Sequence, residues 1–168
     1  MTNNDLLIRL RYALDIRDID MLEIFRLGGI KVTKEELRKI LVKRDDDGIF
    51  TDAQEEYMAC NNKMLDGFLN GFVTFKRGPQ EPRPNQGTPV APSKPDKPNN
   101  LFFKKVKVAL SLTTDDIMEI FEAGGNDVSK GEISAVLRKA DHRNYKECLD
   151  SFIRRFLQGL TVKYRGES

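Results

Sequence analysis

The strongest constraint on this chain is that it is written twice. Residues 20–45 read DMLEIFRLGGIKVTKEELRKILVKRD, and residues 116–141 read DIMEIFEAGGNDVSKGEISAVLRKAD. An offset of 96 pairs Asn3-Asn4 with Asn99-Asn100, Ala13-Leu14 with Ala109-Leu110, Gly28-Gly29 with Gly124-Gly125, and Asp45 with Asp141. The offset then falls to 88, which pairs Cys60 with Cys148, Phe68 with Phe156, Gly71 with Gly159, and Arg77-Gly78 with Arg165-Gly166. The first copy therefore holds eight extra residues near 48–56. Agreement that runs through turns as well as helical stretches marks an internal duplication, so any fold must accommodate one unit twice.

Each copy reads as four helices. Leu6, Leu7, Leu10 and Leu14, matched by Phe102, Phe103, Val106 and Leu110, recur at the 3.6-residue period and make one apolar stripe. The second helix spans about 18–27 and 114–123, with acids near its start that suit a helix N-terminus. Gly28 and Gly124 are expected in the left-handed C-terminal cap. The third helix opens with Thr33-Lys34-Glu35-Glu36 or Ser129-Lys130-Gly131-Glu132, both of which read as capping boxes. The fourth is expected to carry Cys60, Leu65, Phe68, Leu69 and Phe72, or Cys148, Ile153, Phe156, Leu157 and Leu160, and to be the spine of its copy. Gly67, Gly71 and Gly159 within that spine cost about 1 kcal/mol each relative to Ala. Close approach of a neighbouring helix is expected to offset this.

All seven prolines fall in residues 79–98, which separate the first repeat (1–78) from the second (99–168). This stretch reads as an extended tether. Its PxxP matches, such as Pro79 to Pro82, are what any proline-rich linker produces. A unit of about 70 residues is small for a lone core, which rarely supplies more than about 3–5 kcal/mol. The expected fold is therefore all-α: two tandem four-helix repeats packed with pseudo-twofold symmetry and joined by the proline-rich linker.

Several function classes find no support. Residues 1–78 carry 13 Lys/Arg against 14 Asp/Glu, and residues 99–168 carry 12 against 10, without the basic excess of a non-specific phosphate binder. No apolar run of membrane-spanning length occurs, and Asp5, Arg9 and Arg11 interrupt the opening stretch as no secretory signal would. A cytoplasmic location is the expectation, with Cys60 and Cys148 as buried free thiols. His142 is the only histidine, so no two-His metal site exists, and no Walker loop, dinucleotide fingerprint or HExxH motif is present. Asp45-Asp46-Asp47-Gly48 has a partial likeness to a calcium loop. With Gly48 at loop position six, however, Lys43 and Gln54 occupy the positions that need carboxylates. No catalytic, cofactor or metal residues are assigned.

The helix–Gly-Gly–helix segment invites a helix-turn-helix reading. On the third helix of the second repeat, Lys130, Ser134 and Arg138 are expected on one outward face, followed by Lys139, His142 and Arg143. Lys34 and Arg38 take that face in the first repeat. The turn from Gly28 to Thr33 exceeds the usual three or four residues, and Glu35 would face phosphates. A solvated, mixed-charge face explains the same residues.

The repeat pattern resembles the YehS-like family of uncharacterised bacterial proteins, which carry two such repeats per chain. Ala13-Leu14, Lys43, Asp45 and Phe68-Leu69-Asn70-Gly71 carry the likeness in the first repeat. Thr114-Asp115-Asp116-Ile117, Arg138 to His142, Tyr145 and Cys148 carry it in the second. The eight-residue insertion and Val42-Lys43-Arg44-Asp45 depart from it. The resemblance implies the repeat architecture and no activity.

The leading expectation is a non-enzymatic module that binds another protein. Nucleic-acid binding through the third helix of the second repeat is the alternative, and homo-oligomerisation is left open.

Overall fold

The computed structural model describes residues 1–42, 58–78 and 96–166. Among these residues the chain forms eight helices and no strand. The first repeat supplies α1 (Asn3–Leu14), α2 (Asp18–Leu27), α3 (Lys34–Ile40) and α4 (Asn62–Arg77); the second supplies α5 (Pro98–Ala109), α6 (Thr114–Ala123), α7 (Lys130–Leu137) and α8 (Asp150–Arg165). The eight-residue insertion, the residues 45–48 read as a partial calcium loop and most of the proline-rich linker lie outside the described residues. The last linker proline, Pro98, belongs to the body instead: it opens α5 at the first helical turn, where its missing N–H is no loss.

The two repeats exchange partners. Helix α1 packs along α8 of the second repeat, and α5 packs along α4 of the first, while α2 lies on α4 and α6 on α8 within each repeat. The pairings α1–α8 and α5–α4 map onto each other under the duplication, which defines a pseudo-twofold axis. One continuous core results, with Leu6, Leu7, Leu10, Phe68, Phe72, Phe102, Phe103 and Phe156 among its fully buried members. Phe25 meets Phe68 at 4.9 Å, and Phe103 meets Phe156 edge to face at the same separation. Each such ring contributes about 1.5–3 kcal/mol by leaving water.

Glycines set the distance between helices. A Cβ on Gly71 would overlap the Ile24 carbonyl oxygen of α2, and one on Gly159 would overlap the Ile120 carbonyl oxygen of α6. The close approach expected from the spine glycines is thus present in both repeats. Gly28 and Gly124 serve the same contact from the other side: a Cβ on Gly28 would run into the Gly67 carbonyl, and one on Gly124 would stand 3.1 Å from the Gly159 nitrogen. Their φ values of −87° and −84° are ordinary. The left-handed residues of the turn are instead Gly29 (φ 80°) and Gly125 (φ 81°), one position later than expected.

Side-chain caps start many of the helices. Full capping boxes form at Thr2, Thr33 and Thr113. At Ser129 the hydroxyl accepts the Glu132 N–H at 3.1 Å, which is the forward half of the expected box. Cys60 and Cys148 were expected on the spines but stand two residues before them. There the backbone N–H of each donates to a buried asparagine rather than to a helical carbonyl: Cys60 to Asn4 at 2.9 Å and Cys148 to Asn100 at 2.8 Å.

Those asparagines tie the repeats' internal joints. Asn100 Nδ2 also donates to the Val136 and Lys146 carbonyls, both at 3.1 Å. Asn4 Nδ2 does the same to Ile40 and Met58 at 2.8 and 2.9 Å. One amide thereby closes the C-terminus of the third helix and the lead-in to the fourth. Arginines at the far end clamp across repeats: Arg165 donates to the Tyr12 carbonyl at 3.0 Å and lies over the Tyr12 ring, and Arg77 donates to the Val108 carbonyl at 3.4 Å.

Candidate functional site

Two concavities stand out on the described surface. One, of about 380 Å³, straddles the pseudo-twofold axis between the starts of α1 and α5. Its walls come in matched pairs: Met1 with Lys97, Asn3 with Asn99, and Cys60 with Cys148. Most of the polar groups there are already engaged, Lys97 and Glu147 being the exceptions among the described residues. Asn3 donates to the Cys60 carbonyl and to Asn62, and Asn99 donates to the Cys148 carbonyl and to Asp150. The Met1 ammonium sits 2.7 Å from Asp150. Burial pushes both thiols up to about 12, so neither is a ready nucleophile. This hollow is a structural seam.

The other, of about 520 Å³, belongs to the first repeat alone and lies between the end of α1, α2 and α3. Leu22, Leu37, Leu41 and Val42 form its floor, and Ile19 stands at its edge with 66% of its surface exposed. Arg11, Lys34 and Arg38 line the rim. The single acid, Asp18, is held by Arg11 at 2.6 Å. Neither Lys34 nor Arg38 has a carboxylate partner among the described residues. Arg11 Nε is buried there without a hydrogen-bond partner.

The duplication supplies an internal control for this groove. At the offset of 96, Ile19, Arg38 and Val42 become Asp115, Ser134 and Arg138. Asp115 lies 3.5 Å from Lys130, the counterpart of Lys34. The second repeat thus answers its own lysine where the first presents an exposed isoleucine. Ile19, Leu22 and Arg11 were not singled out from the sequence; the mismatch Ile19/Asp115 within otherwise matched helices was the available signal.

The residues expected to contact nucleic acid are divided by the structure. Lys34 and Arg38 lie on α3 at the groove. Lys130 and exposed Ser134 lie on α7, with Lys130 engaged by Asp115. Arg138 does not continue that face. The α7 helix stops at Leu137, and Arg138 is extended at φ −72°, ψ 161°. The cause is competition for the last carbonyls: Lys146 N–H takes Ala135, Asn100 takes Val136, and Lys104 Nζ takes Arg138 itself at 2.9 Å. Arg138 Nη1 is 3.1 Å from His142 Nε2, while His142 Nδ1 faces the Asn144 N–H at 3.0 Å. A neutral imidazole has one acceptor nitrogen, so it accepts only one of these two donors. Lys139 and Arg143 are exposed in the segment beyond the helix. Nearby, desolvation foremost and then Asp96 and Glu147 raise the Tyr145 phenol.

Among the described residues, no three His, Cys, Asp or Glu side chains converge as a metal site would require. None of the described helices is long and apolar enough to cross a membrane.

Fold and groove together define a duplicated all-α protein whose two halves share one core and differ at the groove between the second and third helices. The chain matches the family model described as Protein of unknown function (DUF1456) over residues 3–78 and 99–166, and it belongs to that family. It is similar to the Uncharacterized protein YehS of Escherichia coli (strain K12), with 36% identity over 163 residues, covering 97% of this chain and 96% of that protein. No solved structure matches.

Proposed function

We propose that this protein is a non-enzymatic binding module, acting in the cytoplasm, that receives another protein in the groove of its first repeat. The observation that carries the reading is the asymmetry of the two copies. The second copy pairs Lys130 with Asp115, whereas the first leaves Ile19 exposed beside Lys34 and Arg38, which have no carboxylate partner among the described residues. A contiguous apolar surface rimmed by polar residues marks a recognition site, and here Ile19 continues the aliphatic floor of Leu22, Leu37, Leu41 and Val42. The two buried free thiols suit a reducing compartment.

The alternative is duplex recognition by α7. It has less support, because Lys130 is engaged by Asp115 and Arg138 leaves the helix face.

A photo-reactive amino acid placed at position 19, and separately at its counterpart 115, tests the reading in cells. The expected result is a protein adduct from position 19 and none from 115. The identified protein, purified, then binds wild type and loses affinity for Ile19→Asp. Equal adducts from both positions, or unchanged affinity of Ile19→Asp, would overturn the proposal. Salt-dependent binding to a duplex of about 30 base pairs, lost with Lys139→Ala and Arg143→Ala, would put the nucleic-acid reading in its place.

A further inference from the structure

Resting on that reading, we infer that the occupant of the first-repeat groove is an acidic amphipathic helix of the partner protein. The lining divides cleanly: five of its nine residues are aliphatic and form floor and edge, and three are cations on the rim. Its one acid is already taken by Arg11. An occupant must therefore bring apolar side chains for the floor and uncompensated negative charge for the rim.

Spacing specifies the form of that charge. Lys34 and Arg38 are four residues apart on α3, one turn along the helix, so their side chains share one face about 6 Å apart. Two carboxylates at i and i+4 of a facing helix reproduce this interval. Leucine-like anchors at i+3 and i+7 of the same helix fall on the floor between α2 and α3, which is the helix-in-groove mode of recognition. A small anion leaves the aliphatic floor uncovered. A nucleic acid has nothing apolar to place there and wants more than three cations.

The second repeat shows how the choice of partner is enforced. Asp115 puts a carboxylate in the place of apolar Ile19, Ser134 removes the partner cation four residues from Lys130, and Arg138 replaces the apolar Val42, so neither the paired cations nor the aliphatic floor is kept. One acidic helix per chain is the consequence.

The test uses the full chain and two fluorescein-labelled peptides of about 18 residues. One is patterned with Leu on one face and Glu flanking it; its twin carries Lys for every Glu. Anisotropy titrations at about 50 and 200 mM salt should show the Glu peptide binding at one per chain and weakening with salt. The double variant Lys34→Ala/Arg38→Ala should lose about tenfold in affinity, and Lys34→Arg/Arg38→Lys should keep most of it. Urea unfolding of each variant separates lost contacts from lost fold. Equal binding of the Lys twin, full affinity in the double alanine variant, or no binding of the Glu peptide overturns the inference. If the Glu peptide fails while the adduct from position 19 persists, the binding-module reading stands and only the chemistry of its partner falls. If the adduct is absent too, both fall.

Discussion

Asn100 and Cys148 are joined by a buried hydrogen bond of 2.8 Å, the backbone N–H of the cysteine donating to the asparagine side-chain oxygen. The same amide donates to Val136 and Lys146, so three backbone groups depend on one side chain. Replacing it with an isostere that cannot hydrogen-bond, Asn100→Leu, leaves one N–H and two carbonyls without partners in a dry interior. The expected loss is about 3–5 kcal/mol by urea denaturation, with Asn4→Leu behaving alike. A loss below about 1 kcal/mol for both would show that the joints are held by other means.

Glycine substitutions should split by location. Gly71→Ala and Gly159→Ala gain helix propensity yet drive a methyl into the Ile24 or Ile120 carbonyl of the facing helix. Each should destabilise by about 1–3 kcal/mol. Gly131→Ala in α7 meets only the Ser129 hydroxyl at 3.9 Å and should stabilise by about 0.5 kcal/mol. Thermal melts of the three variants against wild type decide the matter.

Asp150 links acid sensitivity to the seam between repeats. Its carboxyl is held below the usual range first by the hydrogen bond from the Met1 ammonium and next by that from Asn99. Because the native value is depressed, the stability it adds is complete above the unfolded aspartate value of about 3.9 and is lost as pH falls through the native value. Asp150→Asn should therefore flatten the acid limb of a urea-midpoint profile measured between about pH 6 and pH 2. An unchanged slope would show that Asp150 has no part in that limb.

The two cysteines predict behaviour at the alkaline end. With native values of about 12, Cys60 and Cys148 stay protonated in the fold while the unfolded chain ionises. Stability should be complete below the unfolded thiol value of about 8.5 and fall as pH rises toward the native one. A disulfide exchange reagent at about pH 8 should modify both only as fast as the chain opens, and urea should accelerate both together. Immediate modification in the native state would contradict their burial.

The asymmetry of the groove can be transplanted. Asp115→Ile, Ser134→Arg and Arg138→Val bring three of the second repeat's groove positions to the first repeat's residues, leaving Lys107, Thr114, Met118 and Ile133 as they are. Acidic-peptide stoichiometry should rise from one to two per chain by calorimetry. Ile19→Asp in the wild-type background should abolish the first site while shifting stability by no more than about 0.5 kcal/mol, because Ile19 is mostly exposed. A stoichiometry fixed at one in the triple variant would mean that other features of the first repeat select its ligand.

Duplication, helix pattern and the purpose of the spine glycines were legible in the residues, because each has a local signature. The partner exchange between repeats was not. An offset of 96 looks the same whether α1 leans on its own spine or on its counterpart's. The work of Asn4 and Asn100 was hidden for a related reason: their hydrogen bonds join residues 36 to 56 positions away, where periodicity carries no information. Arg138 was misplaced because it continues the apparent helical face, and only the contest for the final α7 carbonyls ends the helix before it. Ile19 carries no signal of its own in the first copy, and its exposure of 66% is what singles it out.

With α1 against α8 and α5 against α4, neither half possesses a complete interior. A single copy standing alone would have to find a second molecule to cover it, and its folding would depend on how many such molecules were near. Placing both copies in one polypeptide makes that encounter internal and indifferent to dilution. It also ends the obligation of symmetry. Two identical subunits must change every surface twice, whereas two covalently joined copies can keep a common interior while a single outer face departs from its counterpart.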